Sequence, residues 1–160
     1  MTGKQWAVTI YLLLVAMALG GVLTLGIFVA ATIFHSDIYL AGALLDQYNE
    51  GILMGEIFRR FSYFIYFIAL AVFAFEANEF KHGRQDNYAL GSGFIVIAAS
   101  LMFSGVYTPK ILAMQKLGAE ATQSDAFEAL HMASEIDFKI LAAALAVLFI
   151  RRMQLMFVPK

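Results

Sequence analysis

Residues 5–34 read QWAVTIYLLLVAMALGGVLTLGIFVAATIF, thirty positions without a charge between Lys4 and His35. A helix needs about 20 apolar residues to cross the hydrocarbon core of a bilayer. This stretch therefore spans with length left over for tilt. The apolar core of a secretory signal is only about 7–15 residues long, so a retained first helix is expected, over 6–34.

The rest of the 160-residue chain carries the same stamp. Hydrophobic residues make up 61% and charged residues only 14%, against roughly 25% charged in an ordinary soluble domain. Mean hydropathy is +0.75. A soluble domain of this length buries only about two-thirds of the surface its unfolded chain exposes. It has no means of hiding this much apolar surface, so a water-soluble globular enzyme is excluded. The 15 Phe and 7 Tyr exclude disorder. A net charge of −1 offers no attraction for nucleic acid. Without cysteine there are no disulfides, thiolate metal sites or cysteine nucleophiles.

Three further uncharged runs follow the first. Phe61–Phe75 is fifteen residues long and spans only if Ile52–Phe58 extends it backwards, which puts Arg59 and Arg60 at or below headgroup level. The expected span is 54–76. Asn87–Pro109 spans comfortably, over 88–109, with Gly91, Gly93 and Gly105 tolerated where neighbouring helices close on them. Ile140–Ile150 is eleven residues, about half of the hydrocarbon core at ~1.5 Å per residue. Either Glu135, Asp137 and Lys139 enter the membrane at one end, or Arg151 and Arg152 do at the other. One helix over Asp125–Arg152 behind a Ser124 N-cap is expected, with its span at 132–152. The fold class is all-α: one integral membrane domain over 1–160, built as a four-helix bundle.

The segment after Phe34 reads as interfacial and partly helical; 76–86 and 110–123 read as polar links. The small residues Ala16, Gly20 and Thr24 permit close helix approach, expected within the chain rather than at a dimer seam. With four spans, one side receives Lys4, Lys81, Arg84, Arg151, Arg152 and Lys160. The other receives Arg59, Arg60, Lys110 and Lys116, with Lys139 near it. The positive-inside rule then puts both termini in the cytoplasm.

In an up-and-down bundle, one end collects His35; Glu56, Arg59 and Arg60; Tyr107, Pro109 and Lys110; and His131, Ser134, Glu135, Asp137 and Lys139. His82 is alone at the other end. Immersed charges cost at least ~2.5–3.5 kcal/mol each and normally pair, so Arg59 and Arg60 are expected to meet Glu135 and Asp137. His131, Glu135 and Lys139 are spaced by four and share a helix face. Ser134 flanks them. A carboxylate so placed orients an imidazole as in metal sites. The ligand-binding candidates are His131, Glu135, Arg59, Arg60, Ser134 and Lys110; a haem or metal ion would take His131 with His35. The alternative is that the arginines snorkel to headgroups and the histidines are satisfied at the interface. No Walker loop, dinucleotide fingerprint, zinc-protease motif or nucleophile elbow is present.

Gly20-Gly21 with the aliphatic run to Phe34, then Tyr107-Thr108-Pro109-Lys110-Ile111, Met114 and Phe127-x-x-Leu130-His131-x-x-Ser134, resemble a bacterial membrane family, domain of unknown function 4149. The chain is also similar to the transmembrane-protein-205-like proteins and the copper-resistance-D-like membrane superfamily. The latter includes a membrane protoporphyrinogen oxidase, whose helix 2 arginine pair Phe58-Arg59-Arg60-Phe61 resembles. Asp137 departs from the neutral polar residue of the pattern. The resemblance implies a four-helix bundle in a bacterial inner membrane, with metal or drug tolerance, or haem or porphyrin chemistry. Porphyrinogen-oxidase-like activity would require bound haem, so an enzyme is the least supported implication.

Three functions fit these residues. The polar cluster near one membrane face binds a cofactor, a metal or an amphipathic ligand. Alternatively it sets helix register in an accessory subunit of a larger membrane complex. As a third possibility the chain forms a small homo-oligomeric transporter or channel.

Overall fold

The computed structural model describes residues 2–40 and 45–157. Lys160, counted above for orientation, and residues 41–44 of the interfacial link lie outside the described residues.

Apart from Phe34 at the end of the first, each uncharged run lies within one long helix. These are α1 (Gly3–Ile33), α2 (Gln47–Lys81), α3 (Asn87–Gln115) and α4 (Asp125–Phe157), of 31, 35, 29 and 33 residues. At ~1.5 Å per residue, each exceeds the ~30 Å of a hydrocarbon core. The chain is thus an integral membrane protein of all-α architecture. Each helix starts on a side-chain cap of the type the exposed first N–H groups require. Thr2 and Gln5 form a reciprocal capping box on α1. The Asn49 N–H donates to Asp46 Oδ1 (2.7 Å), the Ala89 N–H to Asp86 Oδ1 (3.0 Å) and the Phe127 N–H to Ser124 Oγ (3.3 Å).

The helices meet along heptad-type seams. In α4 the buried positions are Ser134, Phe138, Leu141, Leu145, Leu148 and Arg152, with Ala144 beside them. Their four-three alternation keeps one stripe inward. In α1 the seam is Tyr11, Val15, Ala18 and Val22. In α2 it runs Ile65, Ile68, Val72, Glu76 and Glu79. Leu13, Phe67, Leu70 and Phe94 point outward and are exposed, as lipid-facing residues are.

Three local expectations change. The polar link after α3 is shorter than the sequence suggests, because the helix runs through Pro109 to Gln115. Proline has no N–H for the carbonyl four residues back, and a π-helical turn at Phe103–Tyr107 immediately precedes it. The stripe Ala16, Gly20, Thr24 does not make the close approach within the chain. A Cβ on Gly20 would meet nothing within 4 Å, whereas one on Gly21 would sit 2.9 Å from the Phe61 ring. Likewise Gly91 faces open space, while Gly93 lies against Glu76 and Val72 of α2.

Candidate functional site

A cavity of about 840 Å³ opens where α1 ends, α2 begins, α3 ends and α4 begins. Its size follows from α1. Beyond Val22 this helix has a π-helical turn at Thr24–Val29, and no residue of Thr24–Ile33 is buried. The last third of α1 is therefore only partly packed: Leu25 touches the core, and a Cβ on Gly26 would lie 3.7 Å from the Phe138 ring. The second π-helical turn, on α3, lies at the same end. Such turns are frequent at functional sites because they displace the helix face without breaking the helix.

The inner wall is aromatic. The Phe103 and Phe138 ring centroids are 4.8 Å apart, and Phe58 lies 5.3 Å from Phe103 and 5.4 Å from Phe138, near-perpendicular to both. All three line the cavity. Edge-to-face contact of this kind adds stabilisation beyond area burial, giving the cavity a rigid apolar floor.

The outer rim is polar and comes largely from α4. His131, Ser134, Glu135 and Lys139 line it, as does Glu128 one turn above. Glu135 stands between its two helical neighbours, with Oε1 3.7 Å from His131 Nδ1 and Oε2 3.3 Å from Lys139 Nζ. The His131 ring stacks on Phe127 at 6.1 Å. Across the opening, the Gln115 Nε2 amide donates to the Gly51 carbonyl (2.7 Å), and the Tyr48 hydroxyl donates to the Gln115 carbonyl (2.7 Å). Gly55 makes room for Gln115: a Cβ there would sit 2.5 Å from Gln115 Oε1.

Of the sequence-derived candidates, His131, Ser134 and Glu135 share this cavity. Arg59, Arg60, Lys110 and His35 are absent from its lining. The expected pairing of Arg59 and Arg60 with Glu135 and Asp137 does not form. Both arginines bond Glu56, with Arg59 Nε 2.6 Å from Oε2 and Arg60 Nε 2.7 Å from Oε1. A carboxylate one turn back on the same helix needs no interhelical reach. Asp137 instead keeps a buried Oδ2 without a hydrogen-bond partner among the described residues. His35 is exposed in the turn just beyond α1, with Nδ1 2.9 Å from the Ala31 carbonyl oxygen of that helix. Lys110 is exposed. No group of three or more His, Cys, Asp or Glu that could hold a metal ion occurs among the described residues.

The deepest charges lie at the opposite end, where the sequence singled out no site. Arg152 (α4) donates Nε to Glu76 Oε1 of α2 at 2.9 Å and contacts Oε2 through Nη2. The Tyr11 hydroxyl of α1 donates to the same Oε1 (2.9 Å). Glu79 accepts from Arg84 Nη2 (2.6 Å) and lies 3.9 Å from Arg152 Nη1. Arg151 holds Asp86, the α3 cap, through Nε (2.9 Å) and Nη2 (2.7 Å). The network ties all four helices together. In the connecting loop, the hydrogen bond to Glu79 raises the Arg84 guanidinium above its ordinary range. The hydrogen bonds from Arg151 bring the Asp86 carboxyl down to about 2. A signal for this cluster was present: continuing the four-three spacing of Leu141, Leu145 and Leu148 lands on Arg152, and that of Ile65, Ile68 and Val72 reaches Glu79, with Glu76 four residues beyond Val72 on the same side.

Compared with known proteins, residues 13–120 match a family described as domain of unknown function (DUF4149). The match runs from within α1 past the end of α3; α4 lies beyond it. The match does not by itself extend to the transmembrane-protein-205-like or copper-resistance-D-like proteins. No curated protein and no solved structure matches the chain. With the match covering well over half of its length, the chain belongs to the DUF4149 family.

Proposed function

We propose that the protein binds an amphipathic small molecule in this cavity, from within one leaflet of a bacterial inner membrane. The observation that carries the reading is the cavity itself. About 840 Å³ lies between an aromatic floor and a polar rim, within the usual range of about 300–1,000 Å³ for small-molecule sites. His131, Ser134 and Glu135 meet the polar end of the ligand. Arg59, Arg60 and Lys110 stand outside the cavity and face lipid headgroups. The excess of basic residues at the other end supports cytoplasmic termini. The haem and metal forms of this reading draw no support from the geometry, since His35 does not line the cavity with His131.

The test is a titration of the protein in nanodiscs with a neutral, environment-sensitive fluorophore such as N-phenyl-1-naphthylamine. Saturable binding above the empty-nanodisc background is expected. Ala142→Trp, which fills the cavity from α4, is expected to abolish it while leaving thermal unfolding cooperative. Equal titrations for both proteins would overturn the reading.

A further inference from the structure

Resting on the cavity reading above, we propose that the site selects a lipophilic organic cation. The hydrogen-bond inventory of the rim is the first support. Hydroxyl donors along it are spent on main-chain carbonyls: Tyr48 on Gln115 (2.7 Å), Thr122 on Ala119 (2.8 Å), Ser124 on Ala121 (2.7 Å) and Ser134 on His131 (2.7 Å). The Gln115 amide is likewise committed to Gly51 (2.7 Å), which leaves Oε1 as an acceptor. A hydroxyl that donates to a carbonyl still offers its lone pairs. These groups present acceptors to whatever enters, beside the amides of Gln47 and Gln123 and the Lys139 ammonium.

Charge is the second, independent support. Among the cavity-lining residues, Glu128 and Glu135 face a single Lys or Arg, Lys139. Two carboxylates thus stand against one ammonium. Lys139 is already bonded to Glu135 at 3.3 Å. The Glu128 carboxylate makes no ion pair among the described residues. The cations that would draw an anionic headgroup, Arg59 and Arg60, are turned outward onto Glu56. An anion in this cavity would meet two carboxylates with Lys139 alone among Lys and Arg to offset them; a cation would meet compensation.

The floor supplies the third support. The faces and edges of Phe58, Phe103 and Phe138 suit an apolar cation, because ring faces carry negative quadrupole density. A small hydrated cation has no use for such a floor, whereas an aryl-substituted or alkyl-substituted ammonium or phosphonium fills it.

Tetraphenylphosphonium and tetraphenylborate have nearly the same shape and opposite charge, so they isolate the sign. Both are titrated by equilibrium dialysis against the full chain in phosphatidylcholine nanodiscs, with the Ala142→Trp protein in the same bilayer as background. Specific, saturable binding of the phosphonium but not the borate is expected. Glu128→Gln and Glu135→Gln should each weaken phosphonium binding by up to about fivefold, the scale of one half-exposed charge pair. If the borate binds as well as the phosphonium, or the glutamine variants leave phosphonium affinity intact, cation selection is overturned while the cavity reading stands. If neither ion nor the neutral probe binds above background, both readings fall.

Discussion

The Arg152 guanidinium of α4 and the Glu76 carboxylate of α2 face each other inside the bundle, Nε 2.9 Å from Oε1, with side chains only 5% and 6% exposed. The Tyr11 hydroxyl completes the contact from α1. Such a pair is expensive to desolvate, and its attraction repays that only while both partners are present. Arg152→Met or Glu76→Gln alone is therefore expected to lower stability by about 3–5 kcal/mol, because each leaves a buried charge uncompensated. The double variant Glu76→Met with Arg152→Met should recover most of that loss. Denaturant unfolding of the detergent-solubilised protein checks this; single variants indistinguishable from wild type would show that the pair carries no stability.

Asp86 predicts an acid limb. Its carboxyl is brought from an ordinary 3.8 to about 2 by the hydrogen bonds from Arg151. A folded value below the unfolded one means the folded state binds its proton less readily. This contribution to stability is present above about pH 4 and is lost as the pH falls towards 2. Asp86→Asn keeps an N-cap side chain for α3 but removes the ion pair. Melting temperature measured across this range should fall for the wild type and fall less steeply for the variant.

Gly55 predicts a steric effect confined to the cavity. A methyl there would lie 2.5 Å from Gln115 Oε1 and 3.1 Å from Leu112 Cδ2. Gly55→Ala is expected to push the Gln115 amide off the Gly51 carbonyl, costing about 1 kcal/mol for the hydrogen bond and weakening binding of the neutral probe. Gly20→Ala meets nothing within 4 Å and should leave both measurements unchanged. Crossed outcomes for the two glycines would contradict the packing described.

Arg59 and Arg60 predict a negative result. Their side chains are 43% and 75% exposed and bonded to Glu56 on the same helix. Exposed pairs of this sort add little to stability. Arg60→Ala should leave unfolding and cavity binding as in the wild type. A large loss of probe affinity in this variant would mean that Arg60 reaches the ligand.

How far the site could be read from residues alone depends on which rule was applied. Measuring uncharged runs located all four helices but set Glu76 and Arg152 as the last residues of their spans. That rule pushed Glu76 and Arg152 out to the polar ends, although spacings of three and four residues along their own helices carry them onto the core seam. The face shared by His131, Ser134 and Glu135 was legible, because residues three and four apart on a helix lie on one side. The partners of Arg59 and Arg60 were not. Three carboxylates lay within plausible reach, and the nearest in sequence took both.

By itself the sequence determined that this chain is all-helical and resides in a membrane, because its apolar content exceeds what a fold of 160 residues can hide from water. Only the tertiary structure decided that α1 buries no residue over Thr24–Ile33, beside a cavity, and that Arg152 closes on Glu76 at the far end. Both depend on how helices distant in the chain fit against one another, and no local pattern carries the volume left between them.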